Sequence, residues 1–365
     1  MLAGDDEEGC GDGDDDDDDD SGARPRRADT GGEDLNDVDA DADGNDSGTR
    51  GADALTDSGR AAGRGGSTFG ARTNARAWRI LQSLMMWRNK CLVAEKRVTR
   101  PKLTSINTLE DVAALLTRAR NVIVLTGAGI SVACGIPDFR SENGLYSMLG
   151  EYQLPSPQAM FDIAYFRTNP APFFKFAREL LPGSYTPSAT HRFIKALQDR
   201  GKLLRNYTQN IDGLEREAGV LPEHLHQCHG SLDTARCLRC EHRVPVSDIE
   251  AEIRAQTIPM CKICNHPDGV VKPDIVFFGE PLGRRFMDLL TADRARCDAV
   301  LVMGSSLKVA PVNLIIGWMP RDVPLVLLNR ETVGQPHAFD VELLGDCDAA
   351  VAALTRLLGW PADAG

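Results

Sequence analysis

The stretch Asn121-Val122-Ile123-Val124-Leu125-Thr126-Gly127-Ala128-Gly129-Ile130-Ser131 decides the fold. A short unbroken apolar run closed by a glycine turn reads as a strand buried on both faces. Three more runs have the same form: Leu203–Thr208, Ala299–Met303 and Pro324–Leu328. Each passes at once into a polar or Gly-rich turn, at Gln209-Asn210-Ile211-Asp212, Gly304-Ser305-Ser306 and Asn329-Arg330-Glu331. Helical patterns lie between them, as at Leu109–Ala119 and Val341–Leu358. Strands alternating with helices predict a doubly wound parallel α/β sheet, whose ligands sit at the carboxyl ends of the strands. All four turns lie at such ends, so they are expected to line one crevice. Gly127-x-Gly129 departs from the dinucleotide fingerprint of dehydrogenases, because Val132 stands at the third glycine position and no acid ends a second strand about 20 residues on. A tight turn into a helix and a backbone cradle for a pyrophosphate both remain open readings.

Outside this core the chain changes character. Residues 1–60 carry 22 acids and 5 bases, hence −17, whereas 61–102 carry 10 bases and 1 acid, hence +9. The remaining 263 residues carry only −4 of the total −12, so the acidity describes a tail and not the folded body. Residues 1–74, with Asp14–Asp20 as an unbroken acidic run, are expected to be a disordered tail and Gly-rich linker. That tail reads either as a solvating appendage or as a contact for basic partners such as histones. In 75–102, Trp78, Leu81, Leu84, Met85 and Leu92 recur near helical spacing, which predicts an amphipathic helix. Lys96, Arg97, Arg100 and Lys102 follow it as a loose basic linker, a weak nuclear-entry signal. No apolar run reaches 18 residues, which excludes a membrane-spanning helix. Asp5, Asp6, Glu7 and Glu8 behind Met1 do not fit a secretory or transit peptide.

Ten cysteines in a reducing compartment point to metal or chemistry rather than disulfides. Cys237-x2-Cys240 and Cys261-x2-Cys264 form two knuckles that supply four thiolates. Such a site leaves no position for water, so its zinc is expected to be structural. Glu241, Asp248, Glu250 and Glu252 lie between the knuckles with little basic clustering, which disfavours a nucleic-acid ribbon. Of the seven histidines, His229 stands apart, in Gln227-Cys228-His229-Gly230 just before the zinc segment. A histidine titrates near working pH and can serve as a general base.

These residues together resemble the sirtuins, NAD-dependent protein deacylases. The match runs in order through Gly127–Ser131, Gly135-Ile136-Pro137-Asp138-Phe139-Arg140-Ser141, Thr208–Asp212, His229-Gly230, the four cysteines, Lys272–Glu280, Gly304–Leu307 and Asn329-Arg330. It covers about residues 103–360. Asn206-Tyr207-Thr208, Phe161-Asp162-Ile163 and Phe339–Gly345 are similar to the nuclear histone-deacetylase and silencing branch.

The resemblance implies a Rossmann-like domain over 103–365 with a small domain built from a helical insertion near 145–200 and the zinc module near 232–268, NAD lying between them. Gly127, Ala128, Gly129 and Ser131 would cradle phosphates. Gly304, Ser305 and Ser306 would face the nicotinamide-side ribose and phosphates, and Asn329, Arg330, Glu331 and Cys347 the adenosine half. Ile136, Asp138, Phe139 and Arg140 would form a mobile loop over the ribose. Gln209, Asn210, Ile211 and Asp212 would order the ribose and hold the nicotinamide amide. The reaction implied is transfer of an acetyl group from lysine to the ribose, releasing nicotinamide and O-acetyl-ADP-ribose. His229 would act as base and Asn210 would assist. Acetylated protein, histone tails above all, would enter as an added strand against Val276, Phe277, Phe278, Gly279 and Glu280. Lys175 stands where the desuccinylating branch has a tyrosine three residues before Arg178, which favours acetyl or longer neutral acyl groups. Nuclear localisation and chromatin complexes follow from the branch, with no direct nucleic-acid or membrane binding. Mono-ADP-ribosyl transfer and a non-catalytic chromatin scaffold are the competing readings.

Overall fold

The computed structural model describes residues 100–138, 144–181, 183, 185–334 and 338–361. The chain divides into two units, Met1–Ala77 and Trp78–Gly365, and only the second holds described residues. The acidic tail, the helix expected over 75–96, and Phe139 and Arg140 all lie outside them.

The described strands are β1 (Val122–Thr126), β2 (Leu203–Thr208), β3 (Leu225–Gln227), β4 (Gly230–Cys237), β5 (Arg243–Pro245), β6 (Val271–Ile275), β7 (Ala299–Met303), β8 (Leu325–Asn329) and β9 (Val341–Leu344). Six form one parallel sheet in the order β3-β2-β1-β7-β8-β9. This is the doubly wound Rossmann-like order, and its direction reverses between β1 and β7. Alternation of side chains explains how apolar runs serve both faces. Val122 and Val124 enter one core with Leu301, Met303, Val326 and Leu328. Ile123 and Leu125 enter the opposite core with Val300, Val302 and Leu327.

The helices Leu109–Arg118, Ala189–Asp199 and Cys347–Leu357 cover the first face. The first starts at a Thr108–Asp111 capping box, which satisfies N–H groups that a helix start leaves unpaired. Thr190 ties the second to the third through its backbone N–H and hydroxyl, both donating to Asp348 Oδ1 at 2.9 and 2.6 Å. Phe193, Ile194 and Leu197 of Ala189–Asp199 belong to the large core, although the sequence places that segment at the end of the insertion.

Val341–Leu344 is a strand, where the sequence pattern suggests the start of a helix. Gly345 at φ 136° breaks the chain there, and Asp346 caps a new helix by accepting from Asp348 and Ala349. The strand is short and half-buried at the sheet edge, so its apolar residues mimic a helical stripe.

A second, antiparallel sheet runs β5-β4-β6. It shares one core with the segment 145–181: Phe161, Phe166, Phe173, Phe174 and Phe176 meet Phe277, Val271 and Cys237. Edge-to-face contacts join Phe277 to Phe161, Phe166 and Phe173 at 5.9, 5.3 and 5.1 Å.

Candidate active site

The turns after β1 and β7 meet at the reversal point of the sheet. Gly127 N–H donates to Met303 O at 3.1 Å and Gly129 N–H to Gly304 O at 2.8 Å. No side chain fits between them: a Cβ on Gly304 would lie 2.5 Å from Ile130 N, and Gly304 has φ 60°. Two short 3-10 turns, Ala128–Ile130 and Val132–Cys134, follow β1 in place of an α-helix start.

The turn after β2 closes onto this pair. Gln209 N–H donates to Thr126 O at 3.0 Å, and Gln209 Nε2 to Ser305 Oγ at 2.7 Å. Buried Asn210 donates from Nδ2 to Gly127 O at 3.1 Å and to Ser131 Oγ at 3.2 Å. Ser131 Oγ donates in turn to Asp212 Oδ2 at 2.7 Å, and Asp212 Oδ1 accepts from Leu214 N–H. Ile211 packs against the small core. Backbone, amide and hydroxyl groups, with the Asp212 carboxylate behind Ser131, thus line the carboxyl ends of β1, β2 and β7. That donor set fits a ligand rich in hydroxyl and amide groups, as NAD is.

His229 joins the cluster from the connection between β3 and β4. Its Nδ1 lies 2.9 Å from Gln209 O. A carbonyl only accepts, so Nδ1 carries the proton and Nε2 keeps its lone pair. Burial holds the ring below the usual histidine pKa, a shift the Gln209 carbonyl partly offsets. His229 is therefore neutral at neutral pH, with the lone pair on Nε2.

Two residues of this region have no sequence signal of their own, and a third enters only as the first residue of the Lys272–Glu280 match. Glu215 is fully buried, accepts from Thr126 Oγ1 at 3.1 Å, and is pushed up to about 7 by burial and by Asp212. His191 lies with it and Asp212 so that one ligand-type atom of each falls within 4.8 Å of the others. Burial lowers His191 to about 4. Lys272 is the third: its buried Nζ donates to Ile275 O at 2.6 Å, Pro273 O at 3.3 Å and Glu280 Oε2 at 2.9 Å, and sits 4.1 Å from the Phe277 ring centre. Glu280 also accepts from Phe277 N–H, so this ion pair shapes the loop expected to receive substrate.

In that loop, the N–H groups of Val276, Phe277 and Phe278 are already paired, with His229 O, Glu280 Oε2 and Phe161 O. An added strand has to use the other polar groups of this stretch, around Gly279 (φ 87°). Asp138 reaches Leu145 N–H through its carbonyl, while Ile136 follows the second 3-10 turn. At the far end of the sheet Asn329 Nδ2 donates to Glu331 O at 2.8 Å. Arg330 is exposed and 3.8 Å from Asp346, and the Cys347 thiol is buried, donating to Leu328 O at 3.3 Å.

The four cysteines converge. Their Sγ atoms lie within 4.8 Å of one another, with Cys237 to Cys264 and Cys240 to Cys261 both 3.7 Å apart. Thiolates at about 2.3 Å around a tetrahedral zinc are separated by about 3.8 Å, so these residues fit the metal. Cys237 and Cys261 are buried in the small core, which gives such an ion a structural place.

A family model described as the Sir2 family matches residues 127–311, just over half of the chain. The chain is 48% identical over 283 residues to NAD-dependent protein deacetylase sirtuin-1 of Rattus norvegicus, covering 76% of this chain and 50% of the relative. NAD-dependent deacetylase sir2D of Dictyostelium discoideum is 48% identical over 267 residues, covering 72% and 49%. NAD-dependent protein deacetylase sir-2.1 of Caenorhabditis elegans is 49% identical over 267 residues, covering 73% and 43%. The chain spans half the length or less of these curated relatives. With the glycine turns of β1 and β7, the Gln209–Asp212 turn, His229 and the four cysteines all inside the matched span, the chain belongs to the Sir2 family.

Proposed function

We propose that this protein is an NAD-dependent protein-lysine deacetylase acting on histones or other nuclear proteins. The observation that carries the reading is the contact of His229 Nδ1 with Gln209 O, which leaves Nε2 as a base beside the three strand-end turns. When bound, NAD supplies an electrophilic ribose carbon and nicotinamide as leaving group. Gly127, Ala128, Gly129, Ser131, Gly304, Ser305 and Ser306 form the surface for its phosphates and ribose. Asn210 holds the Gly127 and Ser131 ends of that surface together, and Asp212 fixes the Ser131 hydroxyl. His229 Nε2 removes the proton from a ribose hydroxyl so that the oxygen can take the acyl group. The segment Val276–Glu280 presents the acyl-lysine; Phe277, expected from the resemblance to wall its channel, is 2% exposed in the small core and backs the segment from within. Cys237, Cys240, Cys261 and Cys264 hold zinc away from the chemistry, as a staple for the small core.

The printed names of the relatives support this activity, and a relative named NAD-dependent histone deacetylase sirtuin-1, from Drosophila melanogaster, supports the histone substrate. Mass spectrometry of an acetylated histone peptide incubated with the full chain, with and without NAD, tests it. Loss of one acetyl group only with NAD is the expected result. A peptide that keeps its acetyl group and gains ADP-ribose would overturn the reading in favour of ADP-ribosyl transfer.

A further inference from the structure

A cavity of about 310 Å³ opens beside the substrate segment, lined by Gln158, Asp162, Tyr165 and Phe278 among others. Among the described residues that line it, Asp162 is the only formally charged one. The carboxylate is held in place: Asp162 Oδ1 accepts from Tyr165 N–H at 2.8 Å, capping the helix Ile163–Thr168. Phe278 is fixed opposite it. Its N–H donates to Phe161 O at 2.7 Å and its carbonyl accepts from Ile163 N–H at 3.0 Å, on either side of Asp162. Phe277 is 2% exposed in the small core, whereas Phe278 is 37% exposed and lines the cavity. An immobilised carboxylate beside an open aromatic ring suits a cationic side chain, which gains charge pairing and cation–π contact together.

Phe278 belongs both to this cavity and to the segment Val276–Glu280. An extended peptide advances about 3.3 Å per residue with side chains alternating in direction. A side chain one or two positions from the acyl-lysine therefore comes within reach of the cavity. The acyl-lysine itself is neutral, so discrimination by charge has to come from its neighbours. We propose that the Asp162–Phe278 cavity is a subsite for an arginine or lysine side chain one or two residues from the acyl-lysine of a bound peptide; the inference rests on the deacetylase reading.

The test uses the full chain at physiological salt and fluorescent acetyl-lysine peptides of neutral background. Each carries a single arginine or alanine at one of the two positions on either side, and affinity is read by anisotropy. Arginine at one position should tighten binding about three- to tenfold over alanine. Asp162→Asn, which keeps the helix cap, should bring that ratio close to one. Glutamate at the same position should weaken binding to the unaltered protein, which decides the matter should the variant fail to fold. No arginine gain at any position, or a gain that survives Asp162→Asn, overturns the subsite. Nicotinamide release from NAD with the alanine peptide is measured separately. Its absence alongside an intact arginine gain would sink the deacetylase reading and leave a peptide subsite standing.

Discussion

Replacing His229 by alanine separates the two halves of the proposed reaction. His229 Nδ1 is committed to Gln209 O at 2.9 Å, so Nε2 is the working nitrogen. Burial lowers the ring below its usual pKa of about 6.5, so at pH 7.5 it is neutral and ready to accept a proton. Loss of a general base costs about 10²–10⁴ in rate, or about 3–5 kcal/mol of barrier. Nicotinamide departure needs a well-held ribose but no base. His229→Ala should therefore lose deacetylation by that factor, while exchange of labelled nicotinamide into NAD, with acetylated peptide present, falls clearly less. The variant also strips Gln209 O of its donor, which costs about 1–3 kcal/mol of stability. Urea unfolding in parallel keeps that loss apart from the kinetic one. The unaltered enzyme should be insensitive to pH from about 7 to 8 and lose activity as pH falls through the lowered pKa, where the ring charges. Exchange lost as completely as deacetylation in a folded variant would refute the placement of His229, as would an acid limb centred above pH 6.5.

The other consequences concern structure. Cys237→Ser with Cys264→Ser should give metal-free protein whose small core has lost cooperative packing, read by metal analysis and near-UV dichroism; native unfolding without zinc would contradict a structural ion. Gly304→Ala forces a Cβ to 2.5 Å from Ile130 N at a residue of φ 60°, so it should cost roughly 2 kcal/mol or more and weaken NAD binding measured by calorimetry. Asp340 is fully buried and accepts from both Arg100 Nη atoms at 2.9 and 2.8 Å and from Leu103 and Leu325 N–H groups at 2.7 and 2.8 Å. Asp340→Ala should cost about 3–5 kcal/mol in a urea titration, because it leaves the Arg100 charge and two amides without their acceptor. Glu215 keeps its proton in the folded state between its unfolded value of 4.5 and about 7, so its contribution to stability declines as pH rises through that window. Glu215→Gln should therefore gain on the unaltered protein, by up to about 3 kcal/mol, between pH 5 and pH 8; an equal difference at both pH values would mean that the carboxyl is ionised throughout.

Much of this architecture is legible in one dimension. A strand buried on both faces needs only a short apolar run, and the runs Asn121–Thr126, Leu203–Thr208 and Ala299–Met303 match the observed strands to within a residue. Cys237-x2-Cys240 and Cys261-x2-Cys264 carry their geometry in their spacing, since a knuckle turn aims both thiols of a pair at one point. The edge of the sheet is less legible. Val341–Leu344 is too short to show a period, and the three-residue β3 carries no signal at all.

What the sequence by itself determined is the set of parts: parallel strands ending in polar turns, a four-thiolate zinc site, and one histidine set apart just before the zinc segment. Only the tertiary structure decided how those parts are charged and aimed. The proton on His229 is placed by a carbonyl 20 residues away, Asn210 is locked by Gly127 and Ser131 from 83 and 79 residues away, and Gln209 meets Ser305 across 96. Glu215 looks like an ordinary charged residue in the chain, and Lys272 merely opens the Lys272–Glu280 match; burial and Asp212 together raise the pKa of one, and Glu280 with two backbone carbonyls makes the other the pin of the loop expected to receive substrate. The physical reason is range. Periodicity and ligand spacing act over a few residues and are written along the chain, whereas desolvation and hydrogen-bond partnership depend on what folding brings within about 3 Å.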